Sequence, residues 1–180
     1  PVSPYAVSKL AAEYYCRVFA DLYKLRTVSL RYFNVFGPRQ NPDSQYAAAI
    51  PRFITALLQG EPPVVYGDGE QTRDFTYVDD VVAANLAAAA APAAAVAGRV
   101  FNIGRGTRIS LNQLLQELQA IIGTHLTPVY TDQRPGDVRD SEADIAQARA
   151  AFGYAPRASL REGLECTVAW FAAQMRLSRR

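Results

Sequence analysis

The sequence predicts an α/β fold with a mostly parallel sheet. Helical patterns alternate with single, short strand patterns from one end of the 180 residues to the other. Apolar residues make up 49% of the chain and charged residues 20%, as in ordinary globular domains. The strand patterns are too few for a complete doubly wound dinucleotide-binding sheet, which has about six strands.

The first half of the chain contains two predicted helices. Ser3 is placed as the N-cap of the first helix and Pro4 as its first residue, and the helix is predicted to run to about residue 24. Its apolar residues recur every three or four positions between Val7 and Leu22. The second helix covers residues 47–58 and ends before Gly60. The other predicted elements are a strand over residues 27–32, a loop over 34–44, a strand over 64–66, a turn over 67–69 and an extended segment over 73–77.

The second half of the chain contains four predicted helices. Asp79 and Asp80 lie in the first turn of a helix over residues 78–91, where the helix dipole favours acidic side chains. Ser110 and Gln113 form a capping-box pattern at the start of a helix that runs to residue 122. The remaining predicted elements are strands over residues 99–103 and 128–130 and helices over 144–152 and 159–175.

Charge, hydropathy and cysteine content exclude several classes of partner and cofactor. The net charge is +2, so bulk charge does not predict binding to nucleic acid. No apolar run reaches the roughly 18–20 residues of a membrane helix, and we expect a cytoplasmic protein without a membrane partner. Cys16, Cys166 and the single His125 are too few for a zinc site, so no metal is predicted. Both cysteines are expected as buried thiols, with a disulfide between them left open.

Tyr5 and Lys9 are the first candidates for chemistry. Their spacing of four residues places both side chains on one face of the first helix. An ammonium group close to a phenol favours the phenolate form, and such a tyrosine can act as a general base on a sugar or alcohol hydroxyl. The same spacing is also found in amphipathic helices that carry a surface lysine.

Five short motifs follow one another in order along the chain. They are SPYAVSK at residues 3–9, LRYFNVFGP at 30–38, VYGDG with QTRDFTYVDD at 65–80, FNIG at 101–104 and RPGD at 134–137. In this order and spacing they resemble the extended short-chain dehydrogenase/reductase family, in particular its NAD-dependent nucleotide-sugar epimerases and dehydratases. The RPGD motif is followed by Ala143 and Asp144, which resemble the same nucleotide clamp.

The resemblance implies an α/β protein that contains the C-terminal part of a Rossmann-like parallel sheet and the smaller, mixed α/β substrate-binding lobe. Residues 1–33 and 78–103 would belong to the NAD-binding domain, and residues 34–77 and 104–180 to the nucleotide-sugar lobe. The Gly-rich cofactor turn and the catalytic Ser or Thr of the family have no counterpart in these residues. We therefore expect the C-terminal half of a longer, homodimeric enzyme, which alone neither binds NAD tightly nor turns over substrate.

The resemblance also implies roles at the cofactor end of the site. Tyr5 would be the general acid and base, and Lys9 would bind the nicotinamide ribose. Tyr32 and Phe33 would lie in the cofactor region, and NAD is the implied cofactor. Asn34 would contact the diphosphate end of the sugar nucleotide.

At the substrate end, the resemblance implies contacts with each part of a UDP-sugar. Val64 and Tyr66 would flank the pyrimidine base. Arg73 and Arg134 would hold the diphosphate, because guanidinium groups bind such anions through two parallel hydrogen bonds. Asp137 would bind a ribose hydroxyl. Apart from the motifs, the two arginines also fit exposed positions beside turn residues.

The implied reaction is NAD-dependent epimerisation at C4 of a UDP-sugar through a 4-keto intermediate. Asp137 resembles the epimerases more than the 4,6-dehydratases. Ser141 stands where a small residue leaves room for an N-acetyl group, and Ala48 where galactose-type epimerases carry a substrate-binding Asn. Both favour a UDP-N-acetylhexosamine. The alternatives left open are a UDP-glucose or UDP-glucuronate 4-epimerase, a nucleotide-sugar 4,6-dehydratase and a non-catalytic fragment that binds sugar nucleotides.

Overall fold

Helices and short strands alternate in the computed structural model, which describes residue 1 and residues 3–41, 49–133 and 138–178. The helices are α1 (Pro4–Tyr23), α2 (Ala49–Gln59), α3 (Val78–Ala90), α4 (Ala93–Val96), α5 (Leu111–Ile122), α6 (Ala146–Phe152) and α7 (Leu160–Ser178). The strands are β1 (Val28–Tyr32), β2 (Val35–Phe36), β3 (Val64–Tyr66), β4 (Thr72–Arg73), β5 (Thr76–Tyr77), β6 (Arg99–Ile103), β7 (Ile109–Ser110) and β8 (Val129–Thr131).

The strands associate in pairs, and most of these pairs are parallel. β1 and β6 pair over their full length, from Val28 opposite Arg99 to Tyr32 opposite Ile103. The pairs β2–β5 and β3–β8 are also parallel, whereas β4 and β7 are antiparallel. The predicted α/β class with parallel strands is therefore confirmed.

Local hydrogen bonds fix two helix starts that the sequence predicts. At the start of α1, Ser3 Oγ accepts a hydrogen bond from the Ala6 backbone N–H at 3.1 Å. At the start of α5, the Gln113 N–H donates to Ser110 Oγ (3.2 Å) and the Ser110 N–H donates to Gln113 Oε1 (3.0 Å), which is the predicted capping box. α5 ends at Gly123, which adopts the left-handed conformation that glycine tolerates best.

The prediction of one continuous loop over residues 34–44 is wrong. Val35 and Phe36 form β2, opposite Thr76 and Tyr77 of β5. A strand of two residues is too short to show the alternation by which strands are recognised in a sequence. Residues 42–48 lie outside the described part of the chain, and α2 is described from Ala49.

The prediction of two buried thiols is also wrong. Cys16 on α1 is half-buried, Cys166 on α7 is exposed, and both are free. Thr167 and Val168 follow Cys166 and face the interior, so the helical rotation turns Cys166 outward.

Apolar side chains form two core clusters. The first lies between α2, α5 and α7 and includes Phe36, Val65 and Phe75. Trp170 packs against this cluster, and its ring meets that of Phe171 edge-on at 5.0 Å between centroids. The second cluster lies between the β1–β6 pair and helices α3, α4 and α6.

The helix α1 contributes no buried residue to either cluster. Among the residues that the structure describes, none of the helices combines the length and apolar character needed to cross a bilayer.

The division into a cofactor domain and a substrate lobe stays a prediction. The second cluster also includes residues between 143 and 154, which belong to the segment assigned to the substrate lobe.

Candidate active site

Tyr5 and Lys9 lie together near the start of α1, and both residues are exposed. Lys9 Nζ is 5.3 Å from the centre of the Tyr5 ring, which is a cation–π distance. The Tyr5 side chain is 63% exposed, so it is not enclosed in packed hydrocarbon. The structure thus brings the two candidate residues Tyr5 and Lys9 close together.

A groove of about 780 Å³ runs between α1 and β1 beside this pair. Tyr5, Lys9 and Glu13, on successive turns of α1, line one wall, and Arg31 and Tyr32 of β1 line the other. Apolar side chains from both elements also line the groove. The volume is typical of sites that hold small molecules or cofactors.

Glu13 and Arg31 connect the two walls of the groove. Arg31 Nε donates to Glu13 Oε1 and Arg31 Nη2 donates to Glu13 Oε2, both at 2.6 Å. These hydrogen bonds raise the pKa of the Arg31 guanidinium above its ordinary value. Such a two-point contact fixes the relative orientation of its partners better than a single hydrogen bond does.

Residues 32–34 lead from the groove to the second group of predicted site residues. The Tyr32 hydroxyl donates to Asn85 Oδ1 at 3.0 Å. Phe33 is half-buried against the second core cluster. Asn34 has a φ of 29°, in the left-handed region that asparagine tolerates better than most residues. Its Nδ2 donates to the Asp74 carbonyl oxygen at 3.1 Å.

Asp74 joins separate segments of the chain close to Asn34. Its side chain is completely buried. Oδ1 accepts a hydrogen bond from the Arg105 backbone N–H at 2.8 Å. Oδ2 accepts from the backbone N–H groups of Gly106 at 2.9 Å and Ala143 at 3.2 Å. The carboxylate therefore holds the loop after β6 and the segment before α6 against the β4–β5 connection.

Tyr66, at the end of β3, is held from two sides. Gln71 Nε2 donates to the Tyr66 carbonyl oxygen at 2.6 Å. Arg52 of α2 lies over the Tyr66 ring at 5.3 Å from its centre, and its Nη2 donates to the Tyr66 hydroxyl at 3.3 Å. Arg52 is half-buried and forms no ion pair with any residue that the structure describes. Val64, two residues before Tyr66, lies exposed on the same strand.

Thr72 of β4 ties residues 139–141 to the same region. Its N–H donates to the Arg139 carbonyl oxygen (3.0 Å), its carbonyl oxygen accepts from the Ser141 N–H (3.2 Å), and its Oγ1 donates to Asp140 Oδ1 (2.6 Å). Arg73 Nη1 donates to the carbonyl oxygens of Thr72 (2.8 Å) and Arg139 (3.3 Å). Arg73 and Ser141 are thereby brought together.

Charge and burial shift the pKa values of three side chains around these segments. The Arg139 guanidinium lies 2.8 Å from Asp68 Oδ1, and its hydrogen bond lowers the pKa of that carboxyl. Burial raises the pKa of the Tyr77 and Tyr154 hydroxyls above the ordinary tyrosine value. Neither of these two tyrosines is therefore suited to proton transfer near neutral pH.

Three predicted site residues lie outside the described residues. These are Arg134 and Asp137, predicted for the diphosphate and a ribose hydroxyl, and Ala48, predicted near the sugar. Their roles stay predictions.

Four residues that the structure places at the site have no role predicted from the sequence. Glu13 carries a usable signal, because it is eight residues after Tyr5 and therefore on the same helical face. Arg52 interrupts an apolar helical run, which marks it as unusual. Arg31 and Asp74 carry no local signal, since their partners are distant in sequence.

Comparison with known proteins places this site in a family context. A sequence model of the NAD dependent epimerase/dehydratase family matches residues 1–104. The chain spans about half the length of the curated relatives it matches, for example 53% of a UDP-glucose 4-epimerase from Mycolicibacterium smegmatis. That relative is 38% identical over 95% of this chain.

Solved structures are similar over almost the whole chain. A UDP-glucose 4-epimerase from Thermotoga maritima, solved with UDP-glucose, is 43% identical, with a TM-score of 0.92 over 97% of this chain and 55% of that one. A UDP-N-acetylglucosamine 4-epimerase from Methanobrevibacter ruminantium, in complex with UDP-N-acetylmuramic acid, is also 43% identical, with a TM-score of 0.90 over the same shares.

Proposed function

Because this chain belongs to the NAD dependent epimerase/dehydratase family, we propose that the whole protein is an NAD-dependent 4-epimerase of a UDP-sugar. The observation that carries the proposal is the pairing of Tyr5 with Lys9 beside the groove between α1 and β1. The similarity to solved UDP-sugar 4-epimerases supports the reaction class. Such a reaction is redox-neutral overall, because hydride leaves and returns to the same carbon.

Tyr5 is the proton carrier in this proposal. As a phenolate it removes the proton of the sugar 4-hydroxyl when the 4-keto sugar forms, and it returns a proton when the opposite epimer forms. The ammonium of Lys9 lies 5.3 Å from the centre of the Tyr5 ring. Its three N–H donors also suit the hydroxyls of a ribose.

The donor set of the groove fits the nicotinamide end of NAD. Lys9 supplies donors for ribose hydroxyls, and the apolar side chains of both walls supply surface for an aromatic ring. Tyr5, Lys9, Tyr32 and Phe33 would hold this end of the cofactor. When bound, NAD supplies the acceptor and the donor of the hydride at the sugar carbon.

The nucleotide end of the substrate would lie along β3, β4 and residues 139–141. Thr72 brings Arg73 and Ser141 together, and the Asp74 carbonyl oxygen ties Asn34 to the same segment. The residues proposed for substrate contact are Asn34, Val64, Tyr66, Arg73, Arg134, Asp137 and Ser141.

Arg52 joins this group as a phosphate ligand. Its guanidinium is half-buried over Tyr66 and has no carboxylate partner among the described residues. A partly desolvated cation without a counter-charge favours an anionic ligand, and guanidinium groups match phosphate geometry. Arg52 thus places a positive charge next to the residue proposed to flank the base.

Calorimetric titration of the 180-residue chain with UDP and with uridine tests this nucleotide site. We expect UDP to bind, and Arg52→Gln to weaken UDP binding about tenfold or more, because a hydrogen bond to a charged group contributes about 1.5–3 kcal/mol. Uridine affinity should change by less than about twofold. Arg149→Gln, on an exposed face of α6, is the matched control and should leave both affinities unchanged.

Two results of this titration would count against the proposal. A wild-type chain that takes up no UDP would contradict the nucleotide site as a whole. An equal loss of UDP and uridine affinity in Arg52→Gln would contradict a phosphate contact by Arg52.

For the sugar, we favour a UDP-N-acetylhexosamine. Ser141 is small and half-buried beside Arg73, and its backbone is fixed by Thr72. A small side chain at this position leaves room for an acetamido group, and Ala48 departs from the asparagine of galactose-type enzymes. UDP-glucose is the second candidate, which the likeness to the Thermotoga maritima enzyme favours.

Ser141→Tyr in the whole protein separates the two sugars. We expect kcat/KM for UDP-N-acetylglucosamine to fall about tenfold or more, because the added ring occupies the space needed by the acetamido group. The value for UDP-glucose should stay within about threefold. Equal turnover of both sugars before and after the substitution would contradict the assignment.

We also expect the whole protein to form a homodimer. The exposed aromatic and aliphatic side chains of α1 support this expectation, since large exposed apolar side chains are common at interaction sites. They include Tyr14, Tyr15, Leu22 and Tyr23.

A further inference from the structure

In the described part of the chain, α1 has no fully buried apolar side chain. None of its residues is buried, although the helix is 20 residues long and carries both Tyr5 and Lys9. Most surface helices are positioned by an apolar stripe that packs against the core. Besides half-buried apolar side chains such as Leu10 and Ala20, polar contacts join α1 to the rest of the described chain.

Polar contacts tie α1 to β1 and to the turn before it. Arg31 of β1 makes its two 2.6 Å hydrogen bonds to the Glu13 carboxylate. Thr27 Oγ1 donates to the Cys16 carbonyl oxygen at 2.7 Å, almost one turn further along α1. The Glu13 side chain is only 18% exposed, so water and salt screen this ion pair less than a pair on the open surface.

The position of Glu13 relates this ion pair to the catalytic pair. Tyr5, Lys9 and Glu13 follow one another at intervals of four residues, so they share one helical face. All three line the groove between α1 and β1, together with Arg31. A rotation of α1 about its axis would move Tyr5 and Lys9 relative to the groove, and the bond between Glu13 and Arg31 opposes that rotation.

We propose that Glu13 and Arg31 are positioning residues, which hold the face of α1 that carries Tyr5 and Lys9 against β1 in the geometry that proton transfer requires. The inference rests on the proposed function. Neither residue touches the reacting atoms; both act through the placement of Tyr5. A displacement of about 1 Å at a reacting group can lower a rate by about 10²-fold, so a small rotation of α1 is sufficient.

Steady-state kinetics of the whole protein test this proposal. Glu13→Gln should lower kcat about tenfold and leave KM for the UDP-sugar within about twofold, because the nucleotide contacts lie on other elements. Arg31→Lys keeps the charge and loses the two-point contact, so it should also lower kcat. The charge-reversed double variant, Glu13→Arg with Arg31→Glu, should recover part of the lost kcat.

Asp21→Asn is the matched control. Asp21 forms an ion pair with Arg17 on the same helix, but both side chains are exposed and their separation is 3.9 Å. This substitution should leave kcat and KM at their wild-type values. Hydrogen exchange of the α1 amides in the 180-residue chain should be faster in Glu13→Gln and unchanged in Asp21→Asn.

The outcomes separate the two proposals. A wild-type protein without epimerase turnover would overturn the proposed function. An active wild-type protein in which Glu13→Gln retains full kcat, or loses only substrate affinity, would overturn the positioning role and leave the proposed function in place.

Discussion

Tyr5→Phe is expected to lower kcat of the whole protein by about 10³-fold, within the range measured for loss of a general acid or base. The substitution removes only the hydroxyl that carries the proton, and the ring beside Lys9 remains. UDP affinity should be unchanged, because none of the residues proposed to contact the nucleotide lies on α1. The measurement is kcat from the interconversion of the two C4 epimers, with UDP affinity from calorimetry.

Tyr15→Phe provides the matched control for this experiment. Tyr15 lies on the same helix and is similarly exposed, at 67% against 63% for Tyr5. Its hydroxyl has no proposed role, so turnover should stay at the wild-type level. If Tyr5→Phe kept wild-type turnover while still binding UDP, Tyr5 would not be the proton carrier.

Asp74→Ala is expected to produce the largest loss of stability among the substitutions considered. The Asp74 carboxylate is completely buried and accepts hydrogen bonds from three backbone N–H groups, those of Arg105, Gly106 and Ala143. Alanine would leave these donors buried without partners, at a cost of about 1–3 kcal/mol for each. We expect a decrease of about 3–5 kcal/mol in the free energy of unfolding, allowing for partial relaxation.

Urea unfolding of the 180-residue chain, followed by circular dichroism, measures this decrease. Asp74→Asn is the graded variant, because its one carbonyl oxygen can still accept some of the hydrogen bonds, and its loss should be smaller. Asp144→Asn, at an exposed site that caps the Ala146 N–H, should have a minor effect. An Asp74→Ala chain within about 1 kcal/mol of the wild type would show that the three N–H groups find other partners.

The fold was predictable from the sequence wherever local signals are strong. The capping pair Ser110 and Gln113 and the N-cap Ser3 depend on neighbours within one turn, so three-residue spacings reveal them. β2 and β7 were missed because each has two residues and is defined by a partner strand distant in sequence. Strand pairing of this kind leaves no periodicity in the chain itself.

The candidate site shows the same difference between local and distant partners. Tyr5 and Lys9 were predictable, because a spacing of four residues on a helix implies a shared face. The role of Arg31 was not predictable, because its ion-pair partner Glu13 is 18 residues away. The role of Asp74 was not predictable either, because the N–H groups that its carboxylate binds lie at least 31 residues further along the chain. Arg52 was not predictable as a ligand, since its role depends on the ring of Tyr66 from another element.

The placement of Trp170 also determines what can be seen by fluorescence. It is the only tryptophan of the chain, and it packs edge-on against Phe171 at the first core cluster. Its emission will therefore follow the melting of the assembly of α2, α5 and α7. The α1 helix lies outside that cluster, so detachment of α1 would leave the tryptophan emission unchanged. To observe that detachment, a fluorescent dye must be attached to α1.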